Sequence, residues 1–211
     1  MWNDIPKQWQ AVFEEAWLAF TQGNVPSGSV ICDSKGNILV RDHNRFGDRA
    51  ISNPNISHSD ANALTALDLR SGVSPDKLTL FTSLEPCHMC LGMIALTGIK
   101  NVRCASSDLY MGTAHYLTDD PYYRSLAISC RTESGDIEVF QLVLISCFMI
   151  KQLSNQFDSS AINCYRRTNE IAVDIAEKLC MRRVLDRMVI EKKTAEEVFN
   201  TVITIKNEKY I

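Results

Sequence analysis

Behind Pro6, the apolar residues Trp9, Val12, Phe13, Ala16, Trp17 and Phe20 recur three and four positions apart, which gathers them on one face of a helix. Proline suits the start of such a helix, because its missing N–H is one that a first turn leaves unpaired anyway. The stripe predicts a helix laid on a sheet. The period then changes. Ser29 to Cys32 and Asn37 to Val40, joined by Asp33-Ser34-Lys35-Gly36, read as a hairpin. A helical pattern begins at Ser57-His58-Ser59-Asp60 and carries Ala61, Leu64, Ala66, Leu67 and Leu69. Leu78 to Leu84, rich in β-branched and apolar residues, reads as a buried strand; Glu85-Pro86 then opens a second helix that ends near Gly98, and Asn101 to Ala105 reads as another strand. Successive strands joined through helices require a crossover, so part of the sheet is parallel and the class is α/β.

The second half is less regular. Ile137 to Leu144 reads as a final strand, and the apolar run Val139 to Ile150 as buried strand and helix; Gln141 and Ser146 interrupt it, and it is too short to span a bilayer. Asn169 to Val189 reads as one long amphipathic helix carrying Ile171, Ile175, Leu179, Val184, Leu185 and Met188. Thr194-x-x-Glu197 opens a last helix through Phe199 and Val202. The expected organisation is a core domain over residues 1–150 and a helical extension, 151–211, packed on it.

Composition narrows the function classes. The 211 residues, 45% hydrophobic and 22% charged, suit a soluble globular chain able to bury a sizeable core. A net charge of −3 offers no global positive field to nucleic acid. Residues 151–211 carry 11 Lys/Arg against 9 Asp/Glu, too slight an excess to argue for RNA, and Arg166-Arg167 and Arg182-Arg183 read as solvated helix faces. Eight cysteines spread along the chain, with no secretory leader ahead of Trp2-Asn3-Asp4, are expected to be reduced thiols of a cytoplasmic protein without membrane association.

Chemistry concentrates at His58-Ser59-Asp60 and Pro86-Cys87-His88-Met89-Cys90. Cys87 and Cys90, three apart at a helix start, share a face, and the positive end of the helix favours thiolate over thiol. With His58 they form a set of one imidazole and two thiolates that leaves tetrahedral Zn2+ one open position for water, as catalytic zinc sites do. His88 points away from the face shared by the two cysteines and is expected on the rim; His43 and His115 have no spacing of a ligand. Asp60 has two readings. It can serve as the general acid/base beside the metal, or Ser57-x-x-Asp60 can be a capping box whose carboxylate folds back onto the backbone and serves only the helix. Glu85 is expected to orient the ligand helix or satisfy nearby donors.

His-x-Asp followed by Pro-Cys-x-x-Cys resembles the zinc signature of the cytidine deaminase superfamily, with Asp60 where the signature has Glu. Residues from about Trp2 to Tyr123 are similar to its nucleoside, tRNA adenosine and guanine deaminase branch. The resemblance implies a three-layer α/β/α sandwich with a mixed five-stranded sheet, here with extra C-terminal helices, and commonly a homodimer. It also implies a substrate pocket bordered by Pro26, Gly28 and Ser29, with Asn44 contacting the substrate; Ser29 stands at a position that is commonly Ala. The implied reaction is hydrolytic deamination of a nucleobase or nucleoside, with tRNA as a partner that the charge does not support. Two other outcomes stay open: a weakly active or inactive zinc-binding homologue that binds a ligand or partner, and a deaminase whose shorter carboxylate is matched to a bulkier ring.

Overall fold

Side chains alternate across a strand, and two separate apolar cores show which way each one points. In a computed structural model that describes residues 1–152 and 159–209, Val30, Cys32, Phe81 and Ala105 belong to one core. Their strand neighbours Ile31, Leu80, Val102 and Cys104 belong to the other. A sheet buried on both faces separates the two.

Among the described residues the sheet has five strands: β1 (Gly28–Cys32), β2 (Ile38–His43), β3 (Thr79–Leu84), β4 (Asn101–Ser106) and β5 (Ser129–Thr132), in the order β2-β1-β3-β4-β5. β1 is antiparallel to β2 and to β3, whereas β3, β4 and β5 run parallel. The hairpin turn is built as its sequence reads: Asp33 accepts the backbone N–H groups of Lys35 and Asn37, and Gly36 takes the left-handed conformation at φ 83°.

The helices divide between the faces. α1 (Lys7–Thr21) lies on the first, with the aromatic stripe inward: Trp9 and Phe13 are wholly buried. α2 (Ser59–Ala66) and α3 (His88–Thr97) cover the second through Ala63, Leu64 and Ile94. α2 is shorter than its apolar pattern implies. It stops at Ala66, and Leu67 is already extended at ψ 118°. α4 (Tyr116–Asp119) and α5 (Pro121–Ser125) carry the chain from β4 to β5. Then follow α6 (Asp136–Gln152), α7 (Ser160–Thr168), α8 (Glu170–Met181), α9 (Val184–Ile190) and α10 (Ala195–Lys209).

Two expectations are corrected. The final strand is β5 at Ser129–Thr132, and Ile137 to Leu144 belongs to α6. α6 is buried from Val139 to Phe148, so its apolar residues show neither the period of a strand nor that of an amphipathic helix; its 17 residues are helix length. The long helix expected over Asn169 to Val189 is two helices, broken where Arg183 takes φ 52°.

α6 sits between the first sheet face and the C-terminal helices. Phe140 contacts Phe13 at 4.8 Å and Phe199 at 5.0 Å between ring centroids, tying α1, α6 and α10 into one aromatic cluster. On its other side Val143 and Cys147 join Val173, Ala176 and Leu179 of α8 in the same core. The helices after residue 159 thus share a core with the sheet; residues 153–158 and 210–211 of the expected extension lie outside the described residues. No helix among the described residues is long and apolar enough to cross a membrane.

Phe199→Ala removes a ring from the centre of that cluster and is expected to cost about 3–5 kcal/mol. Urea denaturation followed by tryptophan fluorescence should show a single transition moved to lower urea. An unchanged midpoint would mean that α10 adds nothing to the stability of the sheet.

Candidate functional site

β3 ends at Leu84, and the chain turns through Glu85 and Pro86 directly into α3. Cys87 caps that helix in an extended conformation and Cys90 lies in its first turn. His58 holds the equivalent N-cap position of α2. Two helix N-termini therefore converge beyond the carboxyl end of a central strand, where open α/β sheets commonly bind ligands.

His58 Nδ1 stands 3.5 Å from Cys87 Sγ and 3.7 Å from Cys90 Sγ, and the three ligand atoms lie within 4.8 Å of one another. Tetrahedral zinc with bonds of about 2.3 Å to sulfur and about 2.05 Å to nitrogen requires S···N edges of about 3.6 Å. The triangle fits zinc, and one imidazole with two thiols is a zinc donor set. A hydrogen bond from Cys90, with His58, holds the Cys87 thiol down to about 3 against burial, and the same contact pushes Cys90 up. The Cys87 thiolate raises His58 in turn. His88 is exposed, with its ring edge-on to Tyr116, outside the triangle. His43 is buried against Glu15 at 2.8 Å.

Asp60 does not cap. The N-cap of α2 is His58, and the Ser57 N–H donates to Pro54 O rather than to the carboxylate. The Asp60 carboxyl instead faces inward, 5% exposed, and accepts from Ser29 Oγ at 2.6 Å. Thr82 and the Cys90 thiol also hydrogen-bond it. Burial raises its pKa, and these donors only partly offset the rise. Ser29 Oγ also lies 2.8 Å from Ser59 Oγ, which is 2.6 Å from Ser27 Oγ, so a buried chain of hydroxyls supports the carboxyl from β1 and α2.

The triad and Asp60 open onto a cavity of about 300 Å³ that Asn44 and Glu85 also line. Asn44 is fixed by accepting the Phe46 N–H at 2.8 Å. Glu85 accepts from the backbone of Ala114 at 2.7 Å and of Asp108 at 3.3 Å, which ties the loop after β4 to the ligand helix. Asp108 is buried and grips the N–H groups of Tyr110 and Met111; burial, offset in part by those bonds, raises its pKa.

The sequence reading is corrected at Pro26 and Gly28, which do not line the cavity. The flanking Val25 and Ser27 do, since successive side chains of an extended segment point opposite ways. The Pro26 carbonyl accepts from buried Gln141 of α6 at 2.8 Å. Gly28 is a packing glycine: a Cβ there would stand 2.2 Å from Val12 O and 2.7 Å from Ala16 N of α1. Ser29 meets the site through Asp60. Asp108, Tyr110, Met111, Ile145, Met149 and Tyr165 line the cavity and carry no motif. Asp108 could have been found from its place just past the end of β4. Arg166 is paired, with Asp174 at 2.7 Å and Glu177 at 2.5 Å, and Arg183 lies 3.3 Å from Asp186. A larger cleft of about 600 Å³ lies remote from the triad among α6, α8 and α9, and its Lys151 and Asp186 neutralise each other at 2.5 Å.

A family model described as the cytidine and deoxycytidylate deaminase zinc-binding region matches residues 4–106. The cytosine deaminase of Candida albicans is 29% identical over 117 residues, 56% of this chain and 76% of that protein. A tRNA-specific adenosine deaminase of Rickettsia felis is 30% identical over 101 residues, 47% of this chain and 68% of that protein. Among solved structures, one in complex with 2,6-diaminopurine superposes with a TM-score of 0.56 at 16% identity, over 73% of this chain and 84% of that one, and so shares the fold.

The native protein is expected to hold one zinc per chain after dialysis, measured by elemental mass spectrometry. Cys87→Ser and His58→Ala should lose most of it, whereas His88→Ala should keep it. Because the ligands bind deprotonated, occupancy should fall as the pH is lowered. A full complement of zinc in Cys87→Ser would overturn the ligand assignment.

Proposed function

The chain belongs to the cytidine and deoxycytidylate deaminase family, and from that premise we propose that it is a zinc-dependent hydrolase that replaces the exocyclic amine of a nucleobase or nucleoside ring by oxygen, releasing ammonia. The observation that carries this reading is the Asp60 carboxyl, anchored by Ser29 at 2.6 Å and turned into the same cavity as His58, Cys87 and Cys90. Zinc held by those three side chains supplies a Lewis acid that brings the pKa of a water close to neutral.

Asp60 does the proton work. It takes one proton from the water that attacks the amine-bearing ring carbon and passes it to the ring nitrogen, then carries that water's second proton to the departing amine, so that the water's oxygen stays on the ring and one ammonia leaves. A carboxyl whose pKa burial has raised is suited to both tasks, since it gives up its proton more readily near neutral pH than a phenol and takes one more readily than an exposed aspartate. The side chain is one methylene shorter than the Glu of the family signature, and Ser29 and Thr82 supply fixed donors that set its position. Asn44 contributes a substrate contact from the cavity wall. Glu85 holds the loop that carries Asp108.

The same proposal includes a homodimer, for which Leu96 on α3, 84% exposed, offers apolar surface, and a reducing compartment such as the cytoplasm, where thiolate ligands persist. The alternative, a zinc-binding homologue without turnover, has in its favour only the exchange of Glu for Asp.

Ammonia release from the zinc-loaded protein should be measured over free bases, nucleosides and nucleotides, beside Asp60→Ala and Asp60→Glu. Native turnover should fall by about 10²–10⁴-fold in Asp60→Ala. Turnover confined to Asp60→Glu would show an intact scaffold whose own carboxylate falls short. Silence in all three forms would favour the binding role.

A further inference from the structure

Part of the cavity wall comes from beyond the segment that the family model matches. Ile145 and Met149 of α6 and Tyr165 of α7 stand there beside Asp108 and Tyr110. Tyr165 is the unusual member. It is 3% exposed, and its hydroxyl has no hydrogen-bond partner among the described residues. The hydroxyl is not among the fully buried unpaired atoms, so it is open to the cavity that the ring helps to line. Burial, with the nearby charges of Asp108 and Tyr110, pushes the phenol well above its ordinary pKa, so the group is an O–H donor throughout the physiological range. A donor open to the cavity and without a partner among the described residues pairs with whatever occupies the cavity, water or ligand.

The remaining polar groups restrict what can enter. The cavity is lined by the carboxyls of Asp60, Glu85 and Asp108, and by no Lys or Arg side chain among the described residues. A phosphate placed beyond the triad would meet the carboxyls with no Lys or Arg side chain to pair with it, since the two helix N-termini at the cavity are taken up by the candidate zinc ligands. Its volume of about 300 Å³ is at the small end for ligand sites.

We infer that Tyr165 is a specificity-determining residue that donates a hydrogen bond to an uncharged free base or nucleoside, and that the site it completes excludes the phosphorylated forms. The inference rests on the proposed deaminase site and names its substrate class.

Calorimetric titration of the zinc-loaded full chain with 2,6-diaminopurine, cytosine, cytidine and cytidine 5′-monophosphate tests it. A base or the nucleoside should bind at least about tenfold more tightly than the monophosphate. Tyr165→Phe should weaken that binding about two- to tenfold while zinc content is kept. Because the hydroxyl bonds to nothing among the described residues, Tyr165→Phe should melt no lower than the native protein; a lower melting temperature would assign the hydroxyl a structural role and overturn the inference. So would unchanged binding in Tyr165→Phe, tightest binding by the monophosphate, or no binding by any of the four. Ammonia release measured alongside separates the two readings. Tyr165-dependent binding without turnover would sink the deaminase reading and leave this one, whereas turnover with binding indifferent to Tyr165→Phe would do the reverse.

Discussion

A helix with apolar side chains around its whole circumference must be covered on every side, and α6 is such a helix. Burying each of its large side chains is worth about 1.5–3 kcal/mol relative to leaving it in water, so no side of it can be left open cheaply. The sheet and α1 cover one side, through Phe13 and Ala105; α7, α8 and α10 cover the rest, through Ile162, Val173, Ala176 and Phe199. The C-terminal helices follow from this demand. They complete the core that α6 begins, and their amphipathic faces have α6 to pack against.

The same arrangement shapes the site. Gln141, a polar residue wholly buried in α6, fixes the Pro26 carbonyl and with it the segment whose Val25 and Ser27 face the cavity. Ile145 and Met149, further along the same helix, form apolar wall. α7 brings Tyr165 alongside. The candidate metal ligands come from the opposite layer of the fold, where α2 and α3 start. The cavity is thus assembled from both faces of the sheet, meeting at the carboxyl end of β3.

Asp60 draws its character from its neighbours rather than from its motif. Ser29, Ser59 and Thr82 are all buried, and with Ser27 they make a hydroxyl network around a carboxyl that has no Lys or Arg partner among the described residues. Buried carboxyls without a cation are held by hydrogen bonds or protonate. A serine at position 29 supplies one of those bonds, at 2.6 Å, which a small apolar residue could not. The shorter acid and the added hydroxyl are therefore one local solution, since a donor from β1 meets the carboxyl where it ends.

The sequence by itself determined the α/β class, the hairpin, the aromatic helix on the sheet and the three side chains that the fold brings together as a candidate metal triad. Each of these is a local pattern: a period of two or of 3.6, a turn at Asp33 to Gly36, or ligands at the first turn of a helix whose start Pro86 marks. Tertiary structure decided the rest. Val139 to Ile150 is apolar but for Gln141 and Ser146, too few to mark a period that distinguishes strand from helix; the layer of helices packed on it settled the matter. Ser57-x-x-Asp60 fits a capping box in sequence, but the hydroxyl of Ser29, 31 residues earlier, draws the carboxyl away. Gly28 looked like pocket lining, and the close approach of α1 makes it a packing contact. Tyr165 lies 75 residues beyond Cys90 in an ordinary helix, and only the folding of α7 onto α6 brings it to the cavity. Short-range order follows from neighbouring residues, whereas the walls of a cavity depend on contacts between segments that no spacing in the chain records.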